Sequence, residues 1–298
     1  MSKANTRTIW TEEDYKFLKE NYLNMSYSQI GSKINKTKSA VQNKLKILGL
    51  RKPEKYTYNH SFFKIIDNER KAYWLGFLYA DGYVNKTKNG YCCGIEIKHT
   101  DADHLRKFNK DIDGNIEVEI RERKDSRIGT FSVARIRLFS KEIFEDLEKL
   151  GCIQNKTDKI EMPKIEEKFI WPFLRGFFDG DGCIVLNKQR STMKFDFCSS
   201  SLVMLEQIRD FLYKNGIFSY IGKSTSSNGA ITRKIPNYRL YISGMENGYI
   251  FGSLLYKDAT IYLERKKERF DDIVKEYDVV ERINTRGHHG GPKHKITK

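Results

Sequence analysis

The strongest constraint on this chain is an internal repeat of a nine-residue apolar segment. The first copy is WLGFLYADG at 74–82, and the second is LRGFFDGDG at 174–182. Corresponding residues are 100 positions apart, and each copy ends in an aspartate followed by glycine, with the aspartates at Asp81 and Asp181. A repeat at this distance predicts two similar half-domains in one polypeptide, each contributing one equivalent carboxylate.

Both copies are apolar on nearly every side, which predicts two buried helices. Small residues four positions apart share one helix face, and they occur as Gly76 and Ala80 in the first copy and Gly176 and Gly180 in the second. Two such faces would let the helices approach backbone against backbone. The glycine after each aspartate is expected to take the left-handed conformation that commonly ends a helix.

Each aspartate is therefore predicted at a helix C-terminus, where the macrodipole disfavours negative charge. If the helices pack side by side, Asp81 and Asp181 meet, and two carboxylates that close cannot both ionise cheaply. A divalent cation resolves the conflict, and hard oxygen ligands favour Mg²⁺ over zinc. The pattern predicts a symmetric two-metal site or one shared metal. The alternative is two core helices with solvated capping aspartates.

The two motifs and the segments around them resemble the LAGLIDADG homing endonucleases that carry both motifs on one chain. The similarity covers 68–280 and includes LGCIQNKT at 150–157 and YKDATIYLERK at 256–266. Tyr79 departs from the pattern, because the family motif has an aspartate at that position. That position is not a metal ligand in the family, so the departure leaves the expected metal site intact.

The resemblance implies a site-specific double-strand DNA endonuclease that leaves staggered ends and promotes the mobility of its own intron or gene. It assigns Mg²⁺ binding to Asp81 and Asp181, aided by the backbone carbonyls of Ala80 and Gly180. Two alternatives stay open from the sequence: a DNA-binding transcription regulator that retains the fold, and an intron RNA maturase. The presence of both aspartates favours the enzyme over the regulator.

Each half is also expected, from the resemblance, to supply a catalytic lysine near the scissile phosphate. Lys156 follows Asp81 by 75 residues, and Lys266 follows Asp181 by 85. Lys257 is the alternative for the second half. The expected role is electrostatic stabilisation of the developing charge or perturbation of the attacking water. The competing interpretation is that these lysines only anchor phosphates.

Helical and alternating patterns around the motifs repeat in the same order in both halves. They predict an α+β fold of two pseudo-symmetric αββαββα half-domains, 68–166 and 167–281, and the resemblance implies that these halves form a DNA-binding saddle. The chain is expected to act as a monomer in which the two halves make a pseudo-dimer on double-stranded DNA.

The chain carries 54 Lys and Arg against 39 Asp and Glu, a net charge of +15, which suits a DNA partner. Residues 1–55 hold +7 and 282–298 hold +5. The core must therefore concentrate its smaller excess on one sheet face. The candidate DNA-binding residues on predicted strands are Lys98, Arg121, Arg123, Arg135, Arg137, Lys194 and Arg239. The alternative for each is an ordinary solvated strand face.

Residues 1–52 predict a separate all-α domain of three short helices, the third of which begins after a cap at Thr37. The outer face of that third helix carries the candidate DNA-binding residues Lys38, Gln42, Asn43, Lys44 and Lys46. This is typical of a helix-turn-helix module with its third helix in the major groove. The segment resembles Myb/SANT-type domains through WTEED at 10–14 and KTKSAV at 36–41. The alternative is a protein-interaction bundle.

The remaining segments are predicted to connect or follow these domains. Residues 53–67 are predicted to be a linker, and the polar segment from Arg51 to Asn59 is expected to track along DNA between the modules. Residues 282–298 are predicted to be a flexible basic tail. Five cysteines without zinc spacing predict reduced thiols in the cytoplasm. No signal peptide or long apolar run is found, which predicts no membrane span.

Overall fold

A computed structural model describes the chain over seven ranges: 9–53, 56–88, 90–125, 129–154, 158–189, 191–224 and 236–279. The chain divides into two compact units, 1–57 and 58–298. Lys156 and the tail predicted at 282–298 lie outside the described residues. Across the described ranges, none of the helices has the length and apolar character that crossing a bilayer requires.

The first unit is a small three-helix domain made of α1 (Glu12–Asn21), α2 (Tyr27–Lys33) and α3 (Lys38–Ile47). Each helix begins after an N-cap residue whose side-chain oxygen accepts a hydrogen bond from a backbone N–H in the first turn. These caps are Thr11, Ser26 and Thr37. The three helices enclose a core of four buried residues: Leu18, Ile30, Val41 and Leu45. The domain therefore has an apolar centre of its own.

The second unit contains the two predicted half-domains. The first half consists of α4 (Glu69–Asp81), β1 (Gly82–Thr87), β2 (Gly90–Lys98), α5 (Ala102–Asp111), β3 (Glu119–Asp125), β4 (Gly129–Leu138) and α6 (Lys141–Lys149). The second consists of α7 (Ile170–Asp181), β5 (Gly182–Asn187), β6 (Thr192–Ser199), α8 (Leu202–Lys214), β7 (Tyr220–Lys223), β8 (Tyr238–Ser243) and α9 (Met245–Leu255), followed by α10 (Glu264–Glu276). The predicted αββαββα order is confirmed in both halves.

Each half holds a four-stranded antiparallel sheet, in the order β1-β2-β4-β3 in the first and β5-β6-β8-β7 in the second. Side chains alternate between the two faces of a strand. One face of each sheet is buried, through Ile95 and Ile136 in the first sheet and Phe195 and Ile242 in the second. We call the opposite face of each sheet its outer face.

The second unit begins earlier than the sequence prediction, which assigned 53–67 to a linker. Phe62, Phe63 and Ile66 are buried, and the Asn59 N–H donates to the Ile112 carbonyl at 2.7 Å. The prediction rested on the polar start of this segment, whereas its apolar second half packs within the unit. The structural boundary lies between residues 57 and 58.

Candidate active site

The two motif helices, α4 and α7, pack at backbone contact distance. A β-carbon added to Gly76 would lie 1.9 Å from the Phe173 carbonyl oxygen, and one added to Gly176 would lie 1.9 Å from the Tyr73 carbonyl oxygen. No side chain fits into such a gap, so both positions require glycine. The close approach predicted from the small residues is observed.

The glycines after the two aspartates differ from the prediction of a left-handed conformation. Gly82 and Gly182 have φ of −85° and −87° with ψ of 163° and 165°, which is extended backbone. Space is the reason for glycine here: a β-carbon would lie 2.5 Å from Leu78 Cδ2 at the first position and 2.1 Å from Phe178 Cδ2 at the second. Each motif helix therefore passes directly into a strand.

The two aspartates end these helices on the same side of the helix pair. A β-carbon on Gly180 would lie 2.2 Å from Ala80 Cβ and 3.4 Å from Asp81 Oδ2, so the Asp81 carboxylate lies beside the last turn of α7. Asp81 is half-buried and Asp181 is exposed. The negative charges of both carboxylates raise the pKa of Lys266. Asp81, Asp181 and Lys266 are therefore close enough to interact electrostatically.

Lys266, from α10, caps the C-terminal end of α7. Its Nζ donates to three backbone carbonyl oxygens: Phe178 at 2.6 Å, Gly182 at 2.7 Å and Gly180 at 3.4 Å. A cation at this position complements the negative end of the helix dipole. Burial lowers the pKa of Lys266 to about 8, although neighbouring carboxylates, chiefly Asp179, act in the opposite direction. The alternative lysine, Lys257, is exposed in the turn after α9.

The donor atoms at this helix junction are carboxylate and carbonyl oxygens. Within the described part of the chain, no three His, Cys, Asp or Glu side chains gather around one point. A cation held here would therefore take Asp81 and Asp181 together with backbone carbonyls and water. Mg²⁺ accepts such a set, because it usually retains several waters and binds one or two carboxylates. The residues fit the predicted metal, with the Gly180 carbonyl shared with Lys266.

A cleft of about 740 Å³ opens beside Asp81. Its walls come from α4, the ends of β2 and β4, and the segment of the second half that leads into α10. Three basic residues line the cleft together with Asp81: Lys98, His99 and Arg265. Lys98 was predicted on the DNA-binding face, whereas no motif or alternation in the sequence marks His99 or Arg265 as a site residue. Arg265 reaches this cleft only through the packing of the two halves, which no local pattern reports.

Tyr79 in α4 and Asp179 in α7 occupy the same motif position. Each connects its motif helix to a later segment of its own half: the residues after α6 in the first half and the residues between α9 and α10 in the second. Asp179 Oδ2 accepts from the Leu263 N–H and from the Tyr73 hydroxyl, both at 2.7 Å. The Tyr79 hydroxyl donates to the Leu150 carbonyl at 2.5 Å. Asp179 accepts a hydrogen bond at this position, whereas Tyr79 donates one. The tyrosine therefore keeps the connection between helix and segment, with donor and acceptor exchanged.

The buried carboxyl of Asp179 predicts a pH-dependent stability. Burial raises the pKa of Asp179 to about 6, against about 3.9 in an unfolded chain. The folded state then binds more protons between these pH values, so this group's contribution to stability falls as pH rises from 4 to 6 and is constant above 6. We expect D179N to weaken the pH dependence of unfolding in this window. At pH 7.5 the free energy of unfolding of the variant should equal that of the natural chain or exceed it by up to about 3 kcal/mol.

Thermal unfolding of D179N between pH 4 and 8 checks this expectation. D210N is the matched control, because Asp210 is exposed on α8 and makes the same change of charge. An unchanged pH dependence in D179N would contradict the assignment of the buried carboxyl.

The basic residues predicted on strands all lie on the outer faces. In the first sheet, the strand register places Arg135 between Glu96 and Glu119. It places Val133 between Lys98 and Arg121. In the second sheet, Lys194 pairs with Ser243 and Arg239 with Cys198. Acidic partners hold several of the arginines, as in Arg123–Glu96 at 2.7 Å, Arg135–Glu119 at 2.7 Å, Arg137–Glu119 at 3.0 Å and Arg239–Asp196 at 3.2 Å. These acidic partners were not among the residues predicted from the sequence.

In the first unit, most of the polar residues assigned to DNA are exposed. These are Lys38, Gln42, Asn43, Lys46 and Arg51. Lys44 differs, because its Nζ donates to the Tyr15 hydroxyl at 2.9 Å and lies 5.1 Å from the centre of the Trp10 ring. These contacts engage the Lys44 ammonium within the domain, which leaves it less available to DNA than its neighbours.

Comparison with known proteins agrees with this fold. Residues 169–255, which cover α7, α8, α9 and the four-stranded sheet of the second half, match the family model for the LAGLIDADG-like domain. The homing endonuclease I-WcaI, solved bound to its DNA recognition sequence, superimposes with a TM-score of 0.51 and 17% identity over 76% of this chain and 97% of that chain. Likeness at this identity shows the fold alone, which is that of the LAGLIDADG endonucleases.

Sequence relatives include proteins of Methanocaldococcus jannaschii and Pyrococcus furiosus. The uncharacterized protein MJ0398 of Methanocaldococcus jannaschii is 28% identical over 86% of this chain and 90% of its own length. The replication factor C small subunit of the same organism is 31% identical over 54% of this chain, but the match spans 9% of its length. The tRNA-splicing ligase RtcB of Pyrococcus furiosus is 29% identical over 58% of this chain and 19% of its own length. Because each match spans so little of the larger protein, it does not assign the activity of either protein to this chain.

Proposed function

We propose that this chain is a site-specific double-strand DNA endonuclease of the homing type. The observation that carries the proposal is the helix junction, where Asp81 and Asp181 end two helices in backbone contact and Lys266 supplies a positive charge. Two sheets with basic outer faces, one from each half, provide the phosphate-binding surface. The two halves of one monomer would take the place of two subunits, so that each DNA strand meets its own carboxylate.

In this mechanism, Asp81, Asp181 and the carbonyls of Ala80 and Gly180 would hold Mg²⁺. A bound divalent cation generates a hydrolytic nucleophile and stabilises the leaving oxygen at a phosphodiester. The chain's own contribution is position and charge. The outer faces bind the duplex, and the close helix contact fixes where the two carboxylates stand. Lys266 places a cation near the developing negative charge.

Cleavage selection tests the proposal, because the target sequence is not contained in the fold. The full chain is incubated with a plasmid library carrying a randomised insert, with Mg²⁺ or with EDTA. Linear products are recovered and sequenced, and a plasmid with the uninterrupted host locus is tested beside them. We expect one consensus with staggered ends that requires Mg²⁺. Enriched binding without any cut product would favour the transcription-regulator alternative, and no selective binding to DNA would reject both.

The lowered pKa of Lys266, about 8, predicts a pH limit on cleavage. The single-turnover rate should fall as pH rises through about 8, because Lys266 loses its proton there. K266R stays charged, so its decline should move to higher pH. K266M should lose about 10²- to 10³-fold in rate, the size of one electrostatic stabiliser, with little change in DNA affinity. Equal losses in rate and affinity would reduce Lys266 to a phosphate anchor, and a larger rate loss in K257M would move the role to Lys257.

We also infer that residues 1–52 form a DNA-binding module with α3 in the major groove, supported by the exposed Lys38, Gln42 and Asn43. Deleting these residues removes a net basic domain, so affinity should fall, the footprint should shorten and the dependence of affinity on salt should flatten. Cleavage should persist at high protein concentration, because the candidate active site lies in the other compact unit. An unchanged footprint would favour the protein-interaction bundle.

A further inference from the structure

A carboxylate lies among the arginines on the outer face of the first sheet. Glu119, on the edge strand β3, accepts from Arg135 Nη2 at 2.7 Å through Oε2 and from Arg137 Nη2 at 3.0 Å through Oε1. A second acid, Glu96 on β2, accepts from Arg123 at 2.7 Å. Three of the arginines on this face are therefore held by two carboxylates.

Phosphate binding alone does not account for these acids. A carboxylate on a surface that meets the DNA backbone repels phosphate oxygens and reduces the charge available to displace counterions. Stability accounts for little of the Arg137–Glu119 and Arg123–Glu96 pairs either, because both arginines are partly exposed and such surface ion pairs contribute about 0–1 kcal/mol. Hydrogen bonds from Arg135 and Arg137 lower the pKa of Glu119, so this carboxylate is anionic at neutral pH. The remaining explanation for a glutamate at this position is its effect on the arginines that donate to it, Arg135 and Arg137.

The geometry leaves donors of these arginines available for a base. A guanidinium has five N–H donors in a fixed fork, and Glu119 engages only Nη2 of each arginine. Arg137 is the more exposed of the two, with 35% of its side chain accessible against 11% for Arg135, whose Nε is buried without an acceptor among the described residues and is not offered to a base. An arginine fork matches the O6 and N7 acceptors of guanine in the major groove, and a glutamate matches the amino group of cytosine. Alternating arginine and glutamate thus complements a G·C pair.

We propose that Glu119 is a specificity-determining residue, which fixes Arg135 and Arg137 to read guanine in the half-site bound by the first sheet. Holding the forks before binding lowers the entropy lost on contact, and the negative charge weakens binding to random sequence. The inference rests on the proposed DNA-binding function. It concerns selectivity among sequences and does not involve the catalytic groups.

The test is a binding selection from a randomised duplex library without Mg²⁺, run in parallel with the natural chain, E119Q and E122Q. Glu122 is the matched control, because it lies exposed on β3 and faces the opposite side of the sheet. We expect guanine-rich positions in one half-site for the natural chain and E122Q. In E119Q these preferences should weaken, and the ratio of affinities for selected and random DNA should fall about tenfold, within the range of one bidentate base contact.

A second variant keeps the inference testable if E119Q folds poorly. The double variant R135K/R137K retains the charge and removes both forks, so affinity for random DNA should hold while the guanine preference is lost. Unchanged preferences in E119Q or in the double variant would overturn the role of this cluster and leave the endonuclease proposal standing. No enrichment with the natural chain would overturn both.

Discussion

Asp81→Asn and Asp181→Asn are each expected to abolish double-strand cleavage while DNA affinity stays close to that of the natural chain. Each carboxylate ends its own motif helix, and the neutral amide that replaces it no longer supplies an anionic oxygen for a cation. Losing several kcal/mol of charge stabilisation corresponds to a rate loss of about 10³-fold or more. Single-turnover cleavage of a selected target, with affinity measured separately, checks the expectation. Full cleavage by either variant would remove that aspartate from the mechanism.

The product of these variants also distinguishes two metal sites from one shared site. If each carboxylate serves one strand, each variant should still nick the strand assigned to the other aspartate, and open circular plasmid should accumulate. If both strands depend on one shared cation, neither strand should be cut. D210N is the control for the loss of one carboxylate charge, because Asp210 is exposed on α8 and belongs to neither motif helix.

Local periodicity was enough to predict much of this fold. Small residues four positions apart indicate a helix face, and that face is where α4 and α7 touch. Alternation along β4 likewise predicts that Arg135 and Arg137 share a side opposite Ile136, as the register shows. Such features depend on backbone geometry that repeats every few residues. They can therefore be predicted without knowing what packs against them.

The features that were missed or mistaken depend on contacts far apart in sequence. Gly82 was expected to be left-handed, because helices often end that way, but its helix passes into a strand and a Leu78 clash explains the glycine. Glu119 meets its arginines across a strand pair. Arg265 reaches the cleft beside Asp81 from the opposite half. The chemistry around the aspartates is therefore set by packing, whereas the aspartates themselves are visible in the repeat.

Gly176→Ala is expected to cause a large loss of stability, because the added methyl group meets backbone on the facing helix. The Tyr73 carbonyl would lie 1.9 Å away, and it cannot move without shifting α4. Overpacking a core costs about 1–3 kcal/mol even where side chains can adjust, so a loss of about 3 kcal/mol or more is expected here. Alanine's higher helix propensity, worth about 1 kcal/mol, offsets only part of it. Gly76→Ala should behave in the same way, since its contact with Phe173 is equivalent.

Gly248→Ala is the matched control for this prediction. Gly248 also lies buried in a helix, α9, but its nearest neighbour is the flexible end of the Met193 side chain, at 3.2 Å. The same substitution should therefore be neutral or stabilise the chain by up to about 1 kcal/mol. Denaturant unfolding of the three variants separates the two cases. Gly176→Ala as stable as Gly248→Ala would contradict backbone contact between the motif helices. The fixed placement of Asp81 beside Asp181 would then lose its structural basis, because the positions of both carboxylates follow from how closely those helices cross.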